Sequence, residues 1–130
     1  MHKTLLPDGW PRPKGYANGV VAHGDSIIFC GGQIGWTSDE QFEHHDFVGQ
    51  VRQALENVVA VLASADAGPE HITRMTWYVT NREQYMEDLA AVGRAYRDVI
   101  GKHFPAMSVL EVSALIESEA LVEIEVTAVK

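Results

Sequence analysis

Residues 120–129 read ALVEIEVTAV, and the alternation in that stretch decides how the chain ends. Val122, Ile124 and Val126 fall on one parity and Leu121, Glu123 and Glu125 on the other. Successive strand side chains point to opposite sides, so this segment is predicted to be a strand with one apolar face and one acidic face. Just upstream, AMSVLEVSAL predicts a partner strand, joined to the last one by the polar stretch IESE.

Working back from these strands, apolar residues recur at helical spacing in two places. Tyr85, Leu89, Val92, Tyr96, Val99 and Ile100 form one stripe, with Gly101 just beyond it as a stop. Between Asp46 and Asp66, Phe47, Val48, Val51, Leu55, Val58, Val59 and Leu62 form another, with Asp46 as its N-cap and Gly68-Pro69 as its end. Between the helices, HITRMTWYVT sets Met75, Trp77 and Val79 opposite Arg74, Thr76 and Tyr78, a half-buried strand. NGVVAHGDSIIFCGGQIG predicts two antiparallel strands around a tight hairpin at Gly24-Asp25, and GWTSDEQFEHHD a loop. Pro7, Gly9, Pro11, Pro13 and Gly15 make the opening segment an irregular arm.

The predicted order is therefore ββαβαββ in one domain spanning 1–130, an α+β chain with two helices stacked on one face of a mixed sheet. The other sheet face is left to be covered by something else, and copies of the same chain in a symmetric oligomer are the expected cover. A formal charge of −8 argues against nucleic acid as a partner, because gripping a phosphate backbone needs clustered Lys and Arg. Cys30 is the lone cysteine, no secretion signal is visible at the start, and no apolar run is long enough to span a membrane. A cytoplasmic location is expected.

The motifs GYANGV around Tyr16, IIFCGGQIG with Gly32-Gln33, VRQALENVVAVLASADA, FPAM followed by LEVSAL, and VEIEVTAV stand in one order and spacing. In that order the chain resembles the Rid proteins, also called YjgF/UK114 and sometimes labelled L-PSP endoribonucleases. The resemblance implies a chorismate-mutase-like fold and a homotrimer with its small-molecule clefts between subunits. It also implies hydrolysis of reactive enamines or imines, releasing ammonia without metal or organic cofactor. The family's archetype clamps the substrate carboxylate with an arginine in a Pro-Ala-Arg motif, and here that position is Met107.

A guanidinium pairs with carboxylate through two hydrogen bonds, each worth roughly 1.5–3 kcal/mol when sheltered, and a thioether offers neither charge nor donor. A small acid such as 2-aminoacrylate is therefore expected to bind poorly. An arginine from elsewhere, Arg74 or Arg94 among them, is an alternative source of the clamp. By the same resemblance Tyr16 reaches the cleft from the arm, and Gly31 stands where the archetype has a serine. Gly32 offers a ligand-facing amide, Gly93 replaces a helix asparagine, and Glu123 positions or activates the hydrolytic water.

Plain readings stand beside these. Glu123 on an alternating strand is otherwise a solvated acid, and Tyr16 beside Gly and Pro is otherwise a packing anchor. Trp36 either walls the cleft or anchors its loop, and Cys30 reads as a small core side chain. Arg74 and Tyr78 share the exposed parity of their strand, and Glu111 is a surface or interface acid. His44-His45-Asp46 lacks the spacing of a metal site, and GGQIG lacks that of a phosphate loop. Two functions follow: a cofactor-free hydrolase of imines more apolar than aminoacrylate, or a non-catalytic trimer that binds a small metabolite or a protein.

Overall fold

The computed structural model describes all 130 residues. Its main sheet has four strands in the order β3-β6-β4-β5: β3 is Ile27–Ile34, β4 Ile72–Val79, β5 Ala106–Glu111 and β6 Val122–Val129. β6 runs antiparallel to both β3 and β4, while β5 runs parallel to β4. A parallel pair cannot be closed by a tight turn, so β4 and β5 are joined by a helical crossover.

Helix α1, Phe47–Ala63, lies across the sheet. Asp46 caps it as predicted, its carboxylate accepting from the Gly49 amide at 2.8 Å. Val51, Leu55, Val58 and Leu62 of α1 are buried, as are Val122, Ile124, Val126 and Ala128 of β6 and Met75, Trp77 and Val79 of β4. Each of the larger side chains contributes about 1.5–3 kcal/mol of burial, so α1 and the even-numbered residues of β6 are mutually obligatory. The mixed sheet with helices on one face is the α+β architecture expected.

Three details differ from the sequence reading. The predicted hairpin does not form: β2, Gly19–Val21, pairs antiparallel with β1, Lys3–Leu5, and not with β3. β3 pairs with β6 over a much longer ladder, from Ile27 opposite Val129 to Ile34 opposite Glu123. The turn at Gly24-Asp25 passes the chain's end instead, with the Asp25 and Ser26 amides both donating to the Lys130 carbonyl at 2.9 Å. β6 takes one edge of β3, and the three-residue β2 pairs with β1, leaving the outer edge of β3 unpaired. The arm is correspondingly not irregular throughout, because its prolines begin only at Pro7 and leave Lys3–Leu5 free to pair.

The third difference is in the second helix, which is realised as two: α2, Arg82–Glu87, and α3, Leu89–Val99. Asp88, at φ −136° and ψ 53°, breaks the stripe and caps α3 through the Ala91 amide. Leu89, read as part of the apolar stripe, is consequently 48% exposed, whereas Val92, Tyr96 and Ile100 reach the core. Tyr85 on α2 packs edge-on against both Phe47 and Trp77.

The sheet face away from the helices is uncovered within the chain. It carries Arg74, Thr76 and Tyr78 of β4 beside Thr127, Glu125 and Glu123 of β6, respectively opposite them in register. Phe29 and Ile27 on β3 are 78% and 63% exposed, and Leu110 on β5, opposite Tyr78, is also exposed.

One buried polar side chain ties the loops to the core. Gln50 on α1 is fully buried; its amide donates to the carbonyls of His44 at 3.1 Å and Glu119 at 2.9 Å, and its oxygen accepts from the Leu121 amide at 2.8 Å. Gly35 passes so close that a Cβ there would meet the Gln50 Cβ at 2.6 Å. Replacing Gln50 with Leu removes these bonds and strands backbone groups beside the core. Urea unfolding of Gln50→Leu is expected to show a loss of about 2 kcal/mol.

Candidate functional site

The residues singled out from sequence fall into two groups on one chain. The first gathers where the arm meets β5. The Ala17 amide donates to the Pro105 carbonyl at 2.9 Å, and Ala17 bridges Ala106 in parallel, which brings Tyr16 to the mouth of the strand. Met107 lies opposite Met75 in parallel register, so its side chain turns to the helix side of the sheet and packs, half-buried, against the core. Tyr16 and Met107 then line a cavity of about 450 Å³ together with Trp77, Tyr85, Val92 and Phe104.

The floor of that cavity is rigid. Tyr96 stacks on Phe104 at 5.9 Å and 17°, and its hydroxyl donates to the His103 carbonyl. Burial pushes the Tyr96 hydroxyl far above its ordinary value, so it stays protonated and acts as a structural donor. Lys14 and Arg97 border the same cavity, as does Gly93, and no acidic residue lines it. A Cβ at Gly93 would come 3.3 Å from Nη1 of Arg97. The Arg97 guanidinium therefore lies back along α3 over the side chain that Gly93 lacks.

The second group is on the uncovered sheet face. The β3–β6 register shifts between Cys30 and Gln33, leaving Gly31 and Gly32 as a bulge without partners in the ladder. The Glu123 carboxylate lies across this bulge: a Cβ at Gly32 would meet its Oε2 at 2.5 Å, whereas nothing approaches Gly31. Only glycine at position 32 lets the carboxylate rest there. Beside it, the Tyr78 hydroxyl donates to Oε1 of Glu125 at 2.5 Å, and that hydrogen bond, with some desolvation, raises the Tyr78 pKa. Gly31, Arg74, Thr76, Glu125 and Thr127 line a second cavity of about 320 Å³.

These two groups do not meet within one chain. Glu123 is opposite Tyr78, which is opposite Leu110, three residues beyond Met107, and Met107 faces the other side of the sheet. Arg74 stands between them: it lines the second cavity and also a small one of about 150 Å³ with Tyr16, Asn18 and Ser108. Arg94 is exposed on α3 and borders none of the three.

Within the chain Trp36 packs at the root of its loop. It packs on Phe42 at 5.8 Å, its carbonyl accepts from Asn57 Nδ2 at 2.7 Å, and it walls none of these cavities. Cys30 is buried and desolvation raises its thiol pKa, so it behaves as a core side chain. Glu111 accepts from the Arg82 amide at 2.7 Å and thereby steadies the start of α2. Arg97 and Lys14 were not singled out from sequence. The usable signal was the i, i+4 spacing of Gly93 and Arg97, which stacks a long cation over a missing side chain.

The family described as Endoribonuclease L-PSP matches residues 11–130. Among characterised sequences, the chain is 34% identical to the RutC family protein UK114 of Drosophila melanogaster over 85% of this chain and 75% of that protein. It is 31% identical to the 2-iminobutanoate/2-iminopropanoate deaminase of Salmonella typhimurium over 100% of this chain and 99% of that one. Among solved structures, the Rid family protein YyfB of Yersinia pestis superposes with a TM-score of 0.87 at 28% identity, covering 99% of this chain and 98% of that one. Rv2704 of Mycobacterium tuberculosis, a YjgF/YER057c/UK114 protein, does so at 0.66 and 30% identity over 90% and 88%.

The bulge makes a differential prediction. Gly32→Ala sets its new methyl against the Glu123 carboxylate, the end of a flexible side chain that can swing off the bulge, and is expected to cost about 1 kcal/mol in urea unfolding. Gly31→Ala, with open space around it, is expected to cost less than about 1 kcal/mol.

Proposed function

This chain belongs to the endoribonuclease L-PSP family, the Rid or YjgF/UK114 proteins, and from that premise we propose that it is a cofactor-independent imine or enamine deaminase. The observation that carries the reading is the Glu123 carboxylate held over the Gly31-Gly32 bulge on the uncovered sheet face. A carboxylate beside free backbone donors can hold a water and take its proton as the oxygen adds to an imine carbon. Amides of the Gly31-Gly32 bulge, which stands outside the regular ladder, supply fixed dipoles for the group that develops charge. The proton then passes to nitrogen, the carbon–nitrogen bond breaks, and imine plus water becomes an oxo compound plus ammonia. An enamine enters the same route after protonation at carbon.

Because Tyr16 and Met107 lie apart from Glu123 on one chain, the complete site forms between copies. The Tyr16–Met107 mouth of one subunit meets the Gly31-Gly32-Glu123 face of the next in a homotrimer. Exposed Phe29, Ile27 and Leu110 on that face favour such an assembly, since a monomer would leave them in water. The substrate differs from 2-aminoacrylate, whose carboxylate finds no charge at Met107. Losing both of the hydrogen bonds that an arginine at this position would make weakens such an acid by roughly a hundredfold or more. The family's ribonuclease label does not carry over to a chain of charge −8.

Met107 also favours a second reading, a binding trimer without turnover, in which ligands raise the melting temperature while no ammonia appears. The two separate on one assay. Ammonia release from imines generated by an amino-acid oxidase is expected to accelerate with the wild-type protein, and Glu123→Ala to lower kcat by a factor of about 100 or more. No acceleration by wild type across apolar imines would sink the deaminase reading. Met107→Arg is expected to gain activity on 2-aminoacrylate.

A further inference from the structure

The cavity beneath Met107 is apolar in its body and cationic at its mouth. Trp77, Tyr85, Val92, Phe104 and Met107 supply the walls, while Lys14 on the arm and Arg97 on α3 stand at the edge. Neither cation has an ion pair within the chain: the acid beside Arg97 in sequence, Asp98, is bound instead by Arg52 at 2.9 Å. Arg12 and Lys102 line a neighbouring cavity of about 490 Å³ that shares Gly15, Tyr16 and Phe104 with this one, again without an acidic residue. Four of the ten Lys and Arg residues of a chain with net charge −8 thus surround one short stretch of the arm.

Such a concentration in an acidic protein is a local positive field facing an apolar chamber. Part of that field lies directly on the helix. Arg97 is laid over Gly93 because that position has no side chain, its Nη1 only 3.3 Å from where a Cβ would stand. Residue 93 and residue 107 line the same cavity from opposite sides, one on the helix and one on the sheet. The positive charge of this cavity therefore stands on the helix wall, and the strand wall at Met107 is apolar.

We infer that Arg97, assisted by Lys14, is the carboxylate clamp of this site, and that it selects 2-imino acids bearing a branched or aromatic side chain. The carboxylate sits at the mouth, between the arm and α3, and the side chain fills the chamber against Trp77, Tyr85 and Met107. A chamber of about 450 Å³ is within the usual range for small-ligand sites, roughly 300–1,000 Å³, and a three-carbon acid would leave most of it empty. Arg74 is the rival guanidinium: it borders the small cavity that Tyr16 and Met107 also line, but its parity turns it to the polar sheet face among Thr76, Glu125 and Thr127, and it does not line the aromatic chamber. The inference names the substrate class of the deaminase proposed above and rests on that reading for its chemistry, whereas the clamp itself is testable by binding alone.

The stable 2-oxo acid products serve as probes. In calorimetry, wild type is expected to bind phenylpyruvate at least tenfold more tightly than pyruvate. Arg97→Gln and Gly93→Asn, which displaces the guanidinium without removing it, are each expected to weaken phenylpyruvate at least tenfold. Phenylacetone, which has the ring but no carboxylate, should bind both variants as it binds wild type. Unchanged phenylpyruvate affinity in Arg97→Gln, an equal loss for phenylacetone, or a loss that follows Arg74→Gln instead would overturn the clamp. If Arg97-dependent binding is seen but no imine is hydrolysed, the clamp stands and the deaminase reading falls. If the phenylalanine-derived imine is hydrolysed with the same KM by wild type and Arg97→Gln, the reverse holds.

Discussion

The two-sidedness of β6 is the constraint on which the structure depends. The strand is hydrogen-bonded on both edges, to β3 and to β4, so it cannot tilt to relieve a misplaced side chain. Val122, Ile124, Val126 and Ala128 are buried beneath α1, and a slip of one residue would place Glu123 and Glu125 in that core. Burying an unpaired carboxylate costs far more than any local gain, so the register is held firmly. Gln50 reinforces it from the helix side by binding the Leu121 amide and the Glu119 carbonyl at the entry to the strand. Once β6 is set, the acids must stand on the opposite face, over the Gly31-Gly32 bulge.

Chemistry and packing are divided between the two sides of that sheet. The helix side holds an aromatic chamber at the end of β5, and the open side holds the carboxylate and the glycine bulge. A bulge serves this division well, since it frees backbone donors at the cost of only one ladder irregularity. Tyr78 and Glu125, hydrogen-bonded to each other, occupy one another's polar groups beside Glu123. Glu123 is thereby the acid of this row whose oxygens lie against the bulge.

Much of this was legible in the sequence, element by element. The stripe of α1, the Asp46 cap, and the parities of β4 and β6 depend on neighbours a few positions apart, and the period alone reveals them. The partner of β3 was not legible, because Gly24-Asp25 is good turn chemistry whichever strands it separates. What decided it was distant pairing on both sides of that turn: β2 joins β1 in the arm, and β3 joins β6. The break at Asp88 was hidden for a similar reason: α2 and α3 keep a common apolar stripe through Tyr85 and Val92, and only the backbone at Asp88 interrupts it. Trp36 carried no mark in sequence to tell a cleft wall from a loop anchor, and its place depends on Phe42 and Asn57.

The sequence by itself determined most of the secondary elements, the α+β class and the acidic parity of Glu123, since these follow from local period and from the cost of burying charge. It also showed that residue 107 carries no cation. Only the tertiary structure decided that Glu123 reaches Gly32, that Met107 faces an aromatic chamber on the far side of the sheet, and that Arg97 covers Gly93 at its mouth. Those are distances between elements set by how helix and sheet pack, and no periodicity along the chain contains them.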